Sequence, residues 1–103
     1  MRIEAIDPQE AVVVTFDFSL ALDGGETLSG TITTTVSTVL GADPAPSAVL
    51  NGVATFGVES KTVLVPVRGG LADRDYAIKV VCGTTNAHKT LALVAHLPVR
   101  EDD

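Results

Sequence analysis

The sequence predicts an all-β fold, an antiparallel immunoglobulin-like β-sandwich of about seven strands. Three observations point there. Thr and Val account for 12 and 15 of the 103 residues, and branching at Cβ favours extended backbone over helix. Apolar and polar residues alternate with period two in run after run, and no stretch repeats at helical spacing. Turn signals built from Gly, Pro, Asn and Asp separate the runs at intervals of about 8 to 14 residues.

The elements follow in order. Residues 1–10 read as a flexible N-terminal arm, because Pro8 excludes helical backbone at Asp7 and no apolar periodicity follows before Ala11. Residues 11–18 form a first strand, with Val12, Val14, Phe16 and Phe18 on one face and Asp17 on the other. Asp23-Gly24-Gly25 is a turn. Residues 27–38 make a long strand that shows Leu28, Ile32 and Val36 on one face and the hydroxyls of Thr31, Thr33 and Thr35 on the other. Residues 41–47, with Pro44 and Pro46, form a loop. Asn51-Gly52 predicts a two-residue hairpin turn, since both central positions of such a turn need positive φ. A short strand over 53–58 then places Ala54, Phe56 and Val58 together. Residues 61–68 align Val63, Val65 and Val67. Pro66 inside that run donates no ladder hydrogen bond, which predicts an edge strand or a bulge. Gly69-Gly70 ends it. Tyr76, Ile78, Val80 and Cys82 share a face of the next strand, and the last strand, about 89–99, aligns Leu91, Leu93, Ala95 and Leu97.

A sheet with one apolar face must be covered, and without helices a second sheet covers it. A closed barrel is the other arrangement compatible with the pattern. Tyr76 favours the sandwich. It follows Leu71 by five residues just before the penultimate strand, where a corner Tyr of immunoglobulin-like domains bonds its hydroxyl to upstream backbone. The chain is therefore read as an arm (1–10), one sandwich domain (11–100) and an acidic tail (101–103).

Composition narrows the function. Thirteen acidic and seven basic residues give a net charge of −6. Nucleic-acid binding needs concentrated Lys and Arg; Arg2, Lys61, Arg68, Arg74, Lys79, Lys89 and Arg100 are scattered. The same scatter argues against an anionic membrane surface, and no run approaches the ~18 apolar residues of a membrane helix. Arg2, Glu4 and Asp7 argue against an apolar signal segment at the N-terminus. With Cys82 as the one cysteine, no internal disulfide is possible.

No reaction centre emerges, so the expectation is a protein that is not an enzyme, with no catalytic, cofactor-binding or metal-binding residues. His88 falls in a turn and His96 on an outer face, too few ligands for a metal. Cys82 lies on an apolar face, which disfavours thiolate. Asp73-Arg74-Asp75 and Asp23-Gly24-Gly25-Glu26 lack the ligand spacing of a calcium loop, and Arg74 competes as a cation. Gly69-Gly70 lacks the Lys and helix of a phosphate loop.

The ordered motifs Asp7-Pro8-Gln9-Glu10, Asp17-Phe18-Ser19, Gly25-Glu26-Thr27-Leu28, Gly69-Gly70 ahead of Tyr76, Thr84-Thr85 and Lys89-Thr90 resemble a family of small immunoglobulin-like phage tail and prophage proteins, the phage fibre-tail adaptor-like family. The resemblance spans about residues 7–99. Phe18 departs from the family's usual Trp, and the proline-rich insert at 43–47 departs from its strand pairing. The resemblance implies a non-enzymatic structural or adaptor module of a phage or prophage tail, whose partners are other virion or tail subunits or further copies of itself. It places the protein in the virion, or in the host cytoplasm before assembly. A generic bacterial adhesion or surface domain of the same fold is the alternative. On the adaptor reading, the strand bearing Pro66 or the first strand is the expected contact edge, with the arm as a second contact element, because a free sheet edge can pair with a neighbour's strand.

Overall fold

The structure, a computed structural model, describes residues 5–100. It contains six strands: β1 (Ala11–Asp17), β2 (Leu28–Leu40), β3 (Thr55–Phe56), β4 (Thr62–Arg68), β5 (Arg74–Thr84) and β6 (Thr90–Val99). Short 3-10 turns lie at Ser19–Ala21, Pro46–Val49 and Val58–Ser60. The strands form two antiparallel sheets, ordered β1-β4-β3 and β2-β5-β6. This order is that of the BED and CFG strands of an immunoglobulin sandwich. The expected arrangement is therefore present, with six strands in place of about seven.

The core lies between the sheets and follows the alternation in the sequence. Val14 and Phe16 from β1, Val63, Val65 and Val67 from β4, Tyr76, Ile78, Val80 and Cys82 from β5, and Ala95 and Leu97 from β6 are all buried. Their neighbours point outward because successive Cβ atoms alternate across a strand. Phe18 continues the stripe past the end of β1. Asp17 ends the strand by accepting the Ser19 amide at 2.9 Å, and the Phe18 amide donates to the Lys61 carbonyl. The ring thus stays in the core while the backbone turns away.

Several expectations are corrected. Asn51-Gly52 does not make a hairpin. Asn51 lies outside the positive-φ region that such a turn requires, and among these two only Gly52 has positive φ, at 154°. Leu50 bridges to Val67, and Thr55-Phe56 pairs with Leu64 and Val63, so both flanks of Asn51-Gly52 lie on the same side of β4. The residues before Asn51 form a 3-10 turn and no hairpin strand, which leaves six strands among the described residues. Val58 leaves the apolar face of its neighbours and is 83% exposed, since a 3-10 turn with Glu59 at φ 57° replaces the strand there.

The strand carrying Pro66 is no edge. β4 is the centre of its sheet. Pro66 is tolerated because its carbonyl accepts the Asn51 amide at 2.9 Å on the β3 side. In a strand the nitrogen and carbonyl of one residue face the same way. The missing N–H therefore points at the irregular stretch 51–54, between the Leu50 bridge and β3, where no ladder runs.

The described part of the arm packs on the sandwich. Ile6 is 7% exposed and belongs to the core. It forms a parallel bridge with Val99: its amide donates to the Pro98 carbonyl, and its carbonyl accepts the Arg100 amide. Residues 7–10 then close a turn in which Glu10 donates its amide to the Asp7 carbonyl and accepts the Asp7 amide on its carboxylate at 2.7 Å. Residues 1–4 and the acidic tail, 101–103, lie outside the described residues.

Candidate interaction surface

The residues singled out for chemistry are dispersed. Cys82 is buried in β5, and burial raises its thiol pKa above the ordinary value. His88 sits exposed in the loop between β5 and β6, while His96 lies far along β6 opposite Ala77, on the outer face. The described residues hold no group of three or more His, Cys, Asp or Glu that could bind a metal ion. No helix in the described residues is long and apolar enough to cross a membrane.

Both acidic groupings have structural partners. Asp23 and Glu26 repeat the reciprocal geometry of Asp7 and Glu10: the Glu26 amide donates to the Asp23 carbonyl and the Asp23 amide to the Glu26 carboxylate. Lys89, arriving from the β5–β6 hairpin, sits 2.7 Å from Glu26 and 3.6 Å from Asp23. Its ammonium, followed by the Asp23 amide, holds the Glu26 carboxyl below its usual range. In the other grouping, Asp75 lies 2.8 Å from the Arg100 guanidinium. Arg74 donates to the carbonyls of Ala42 and Ala72, and Asp73 takes up the turn with φ 59°.

Tyr76 organises one end of the sandwich. Its hydroxyl accepts the Leu71 amide at 2.9 Å, the corner expected from the sequence. The same hydroxyl donates to Asp43 Oδ2 at 2.7 Å. Asp43 Oδ1 in turn accepts the Ala45 amide. The proline-rich insert is thereby tied to the corner, a link the spacing of 33 residues concealed. Burial first, and Asp43 second, raise the phenol's pKa. Gly69 and Gly70 are required by two close approaches. A Cβ on Gly70 would collide with the Tyr76 hydroxyl, and one on Gly69 with the backbone of Asp7 and Pro8.

What remains is a sheet edge with no further strand beside it, although the Pro46–Val49 turn packs against the same strand. β2 is the longest strand, 13 residues, and it flanks its sheet with β5 as its only strand partner. It carries no charge from Leu28 to Leu40, and neither do its neighbours from Thr27 to Ala42. Eight of its 13 residues are β-branched. Thr33, Thr35, Ser37 and Val39 face solvent. Ile32 and Val36, on the inner face, are only half-buried. Beside the start of β2 runs an open, apolar cleft of about 410 Å³, lined by Gly30, Thr31 and Ile32 on one side and Val53, Ala54, Thr55 and Phe56 on the other. Gly30, at φ 87°, opens a bulge where two extra residues separate the Ser29 and Ile32 partners on β5. β3, which supplies Thr55 and Phe56 to the lining, is only two residues long.

Of the expected contact elements, β1 is indeed at the edge of its sheet, β4 is internal, and the described part of the arm is docked on β6. Reasoning from sequence missed β2. The available signal was the run of 16 uncharged residues, 27–42, in a chain with 20 charged ones.

No family model matches this chain, and the comparisons with curated proteins and with solved structures found no match.

Proposed function

We propose that this protein is a non-enzymatic structural or adaptor module of a phage or prophage tail, working through protein–protein contacts. The observation that carries the reading is the long, uncharged outer edge of β2. A row of unpaired backbone donors and acceptors is a template for another strand, and soluble domains ordinarily blunt such edges with Lys, Pro or cover. β2 has neither Lys nor Pro; its interruptions are the two register shifts at its ends and the Pro46–Val49 turn that packs against it. An edge of this kind supplies binding through main-chain hydrogen bonds, with alternate side chains adding selectivity.

The residues that carry the phage-tail resemblance support the reading through their structural work. Asp7 and Glu10 close the turn that brings the N-terminal segment onto β1. Asp17, Phe18 and Ser19 end β1 with the ring in the core. Gly69, Gly70 and Tyr76 build the corner. The partners on this reading are virion or tail subunits, and the location is the virion, or the host cytoplasm before assembly.

The test is direct. Tail particles purified after prophage induction from cells encoding the chain should contain it at a fixed ratio to the other tail proteins when quantified by mass spectrometry. Particles that assemble fully and lack the chain would overturn the reading.

A further inference from the structure

We infer that Asn51-Gly52 is a site of spontaneous covalent modification: in the folded chain Asn51 cyclises onto the Gly52 nitrogen and is converted to aspartate and isoaspartate, which places a carboxylate beside the apolar cleft. The inference is independent of the proposed function, because the reaction requires no partner.

The chemistry involves two groups of the chain and water. The Gly52 nitrogen forms a bond to Cγ, the side-chain carbonyl carbon of Asn51, while the Cγ–Nδ2 bond breaks. The Gly52 amide proton leaves with Nδ2, so that ammonia departs and a succinimide ring closes. Water then adds to one ring carbonyl. Opening at Cγ gives aspartate. Opening at the main-chain carbonyl gives isoaspartate, in which the backbone runs through Cβ and Cγ. In total one water is consumed and one ammonia released, with no oxidant or reductant. The reaction needs an unshielded nitrogen, an unrestrained side-chain amide, and a backbone that can turn to bring them together.

All three are present. Gly52 has no Cβ to crowd the attacking nitrogen. Asn51 and Gly52 are exposed and lie outside every strand and 3-10 turn of the described residues. Among those residues, neither the Gly52 amide nor the Asn51 side chain makes a hydrogen bond. The backbone is anchored just upstream, where the Asn51 amide donates to the Pro66 carbonyl at 2.9 Å. Downstream, Pro66 offers no N–H, so no ladder holds the chain between the Leu50 bridge and β3. The same proline keeps glycine in place. Gly52 has φ 154°, and a Cβ there would lie 3.3 Å from Pro66 Cγ. Asn86, the other asparagine of the chain, is built differently. Its Oδ1 accepts the His88 amide at 3.0 Å, its side chain also bonds Glu26, and the residue after it, Ala87, carries a Cβ.

The product changes a defined place. Residues 44–58 carry no charge, and neither do residues 27–42, which include the β2 side of the cleft. Val53, two positions after Asn51, lines that cleft. Conversion therefore puts the first charge into these stretches and adds a negative charge to the net −6. Isoaspartate also lengthens the backbone by one atom. The extra atom lies after the Asn51 amide, so the contact with Pro66 and the Leu50 bridge are kept while the chain toward Val53 is displaced.

The test follows the freshly purified full chain through incubation in mildly alkaline buffer, by peptide mass spectrometry and anion exchange. The Asn51 peptide should gain the mass of deamidation and contain isoaspartate, the Asn86 peptide should stay unchanged, and the intact chain should develop a second, more acidic peak. The mass gain separates this reaction from isomerisation at Asp23-Gly24, which leaves mass unaltered. Asn51→Ser should keep the β-sheet spectrum and give a single peak. Opening of a loop without protecting hydrogen bonds costs almost nothing, so the rate at Asn51 in the folded chain should lie within about tenfold of its rate in denaturant. At Asn86 folding should slow the reaction. An Asn51 that stays intact in the folded chain and converts only in denaturant, earlier conversion at Asn86, or an acidic peak that persists in Asn51→Ser would each overturn the inference.

Discussion

The Tyr76 hydroxyl holds two partners that differ in kind. One is the Leu71 amide, a backbone donor that loses its hydrogen bond if the oxygen is removed. The other is Asp43, a carboxylate on the far side of a loop. A donor or acceptor left unsatisfied away from water costs about 1–3 kcal/mol. Tyr76→Phe is therefore expected to lower stability by about 1–3 kcal/mol in chemical denaturation, with the β-sheet spectrum unchanged. Asp43→Asn keeps an acceptor oxygen for the phenol and should cost less than Tyr76→Phe. Equal losses from the two changes would show that the link to the insert, and not the corner, dominates. The corner was legible in the sequence because its partner is five residues away. Asp43 was not, because nothing local relates an insert residue to a strand 33 positions later.

At the scale of elements, the alternation of side chains named the inward faces of β1, β4, β5 and β6 almost without error, since period two is fixed by backbone geometry. Edges were harder. Pro66 reads as an edge signal because it lacks an amide hydrogen, yet the lost donor faces an interruption in the ladder, and β4 stays central. The N-terminal segment is the opposite case. Asp7-Pro8 reads as the end of something mobile, and Ile6, one residue earlier, is an isolated apolar side chain with no period. It nevertheless docks beside β6, bridging to Val99 with its side chain in the core. Truncating a buried Ile to Ala costs about 2–5 kcal/mol. Ile6→Ala is expected to fall in that range by denaturant titration. A loss below about 0.5 kcal/mol, the scale of an ordinary surface change, would mean that the segment contributes no core contact in solution.

For the whole molecule, charge sets the pH limits. Asp17, Glu26 and Asp43 titrate below their ordinary values, through the Ser19 amide, the Lys89 ammonium and the Ala45 amide respectively. A carboxyl whose folded pKa is depressed contributes stability above its unfolded pKa and loses it as pH falls through the folded value. Tyr76, raised by burial, and Lys89, raised by Glu26, act in the other direction: their contribution is complete below their unfolded values and is lost as pH rises through the folded ones. Melting temperature should therefore hold a plateau between about pH 5 and pH 9 and fall on both sides. Asp43→Asn should flatten part of the acid limb. A decline that begins near pH 7 would contradict the assignment, because none of these groups titrates there.

The all-β class, the faces that form the core and the corner at Tyr76 are legible in the chain because each rests on local rules: branching at Cβ, two-residue periodicity and a partner a few positions away. Which strands lie at the edges, and that Ile6 pairs beside β6, follow only from the packed molecule, since the neighbour of a strand is set by residues far along the chain. β2 illustrates the division. Its Thr-rich alternation announces a strand, but only the order β2-β5-β6 leaves it with no strand on its outer side.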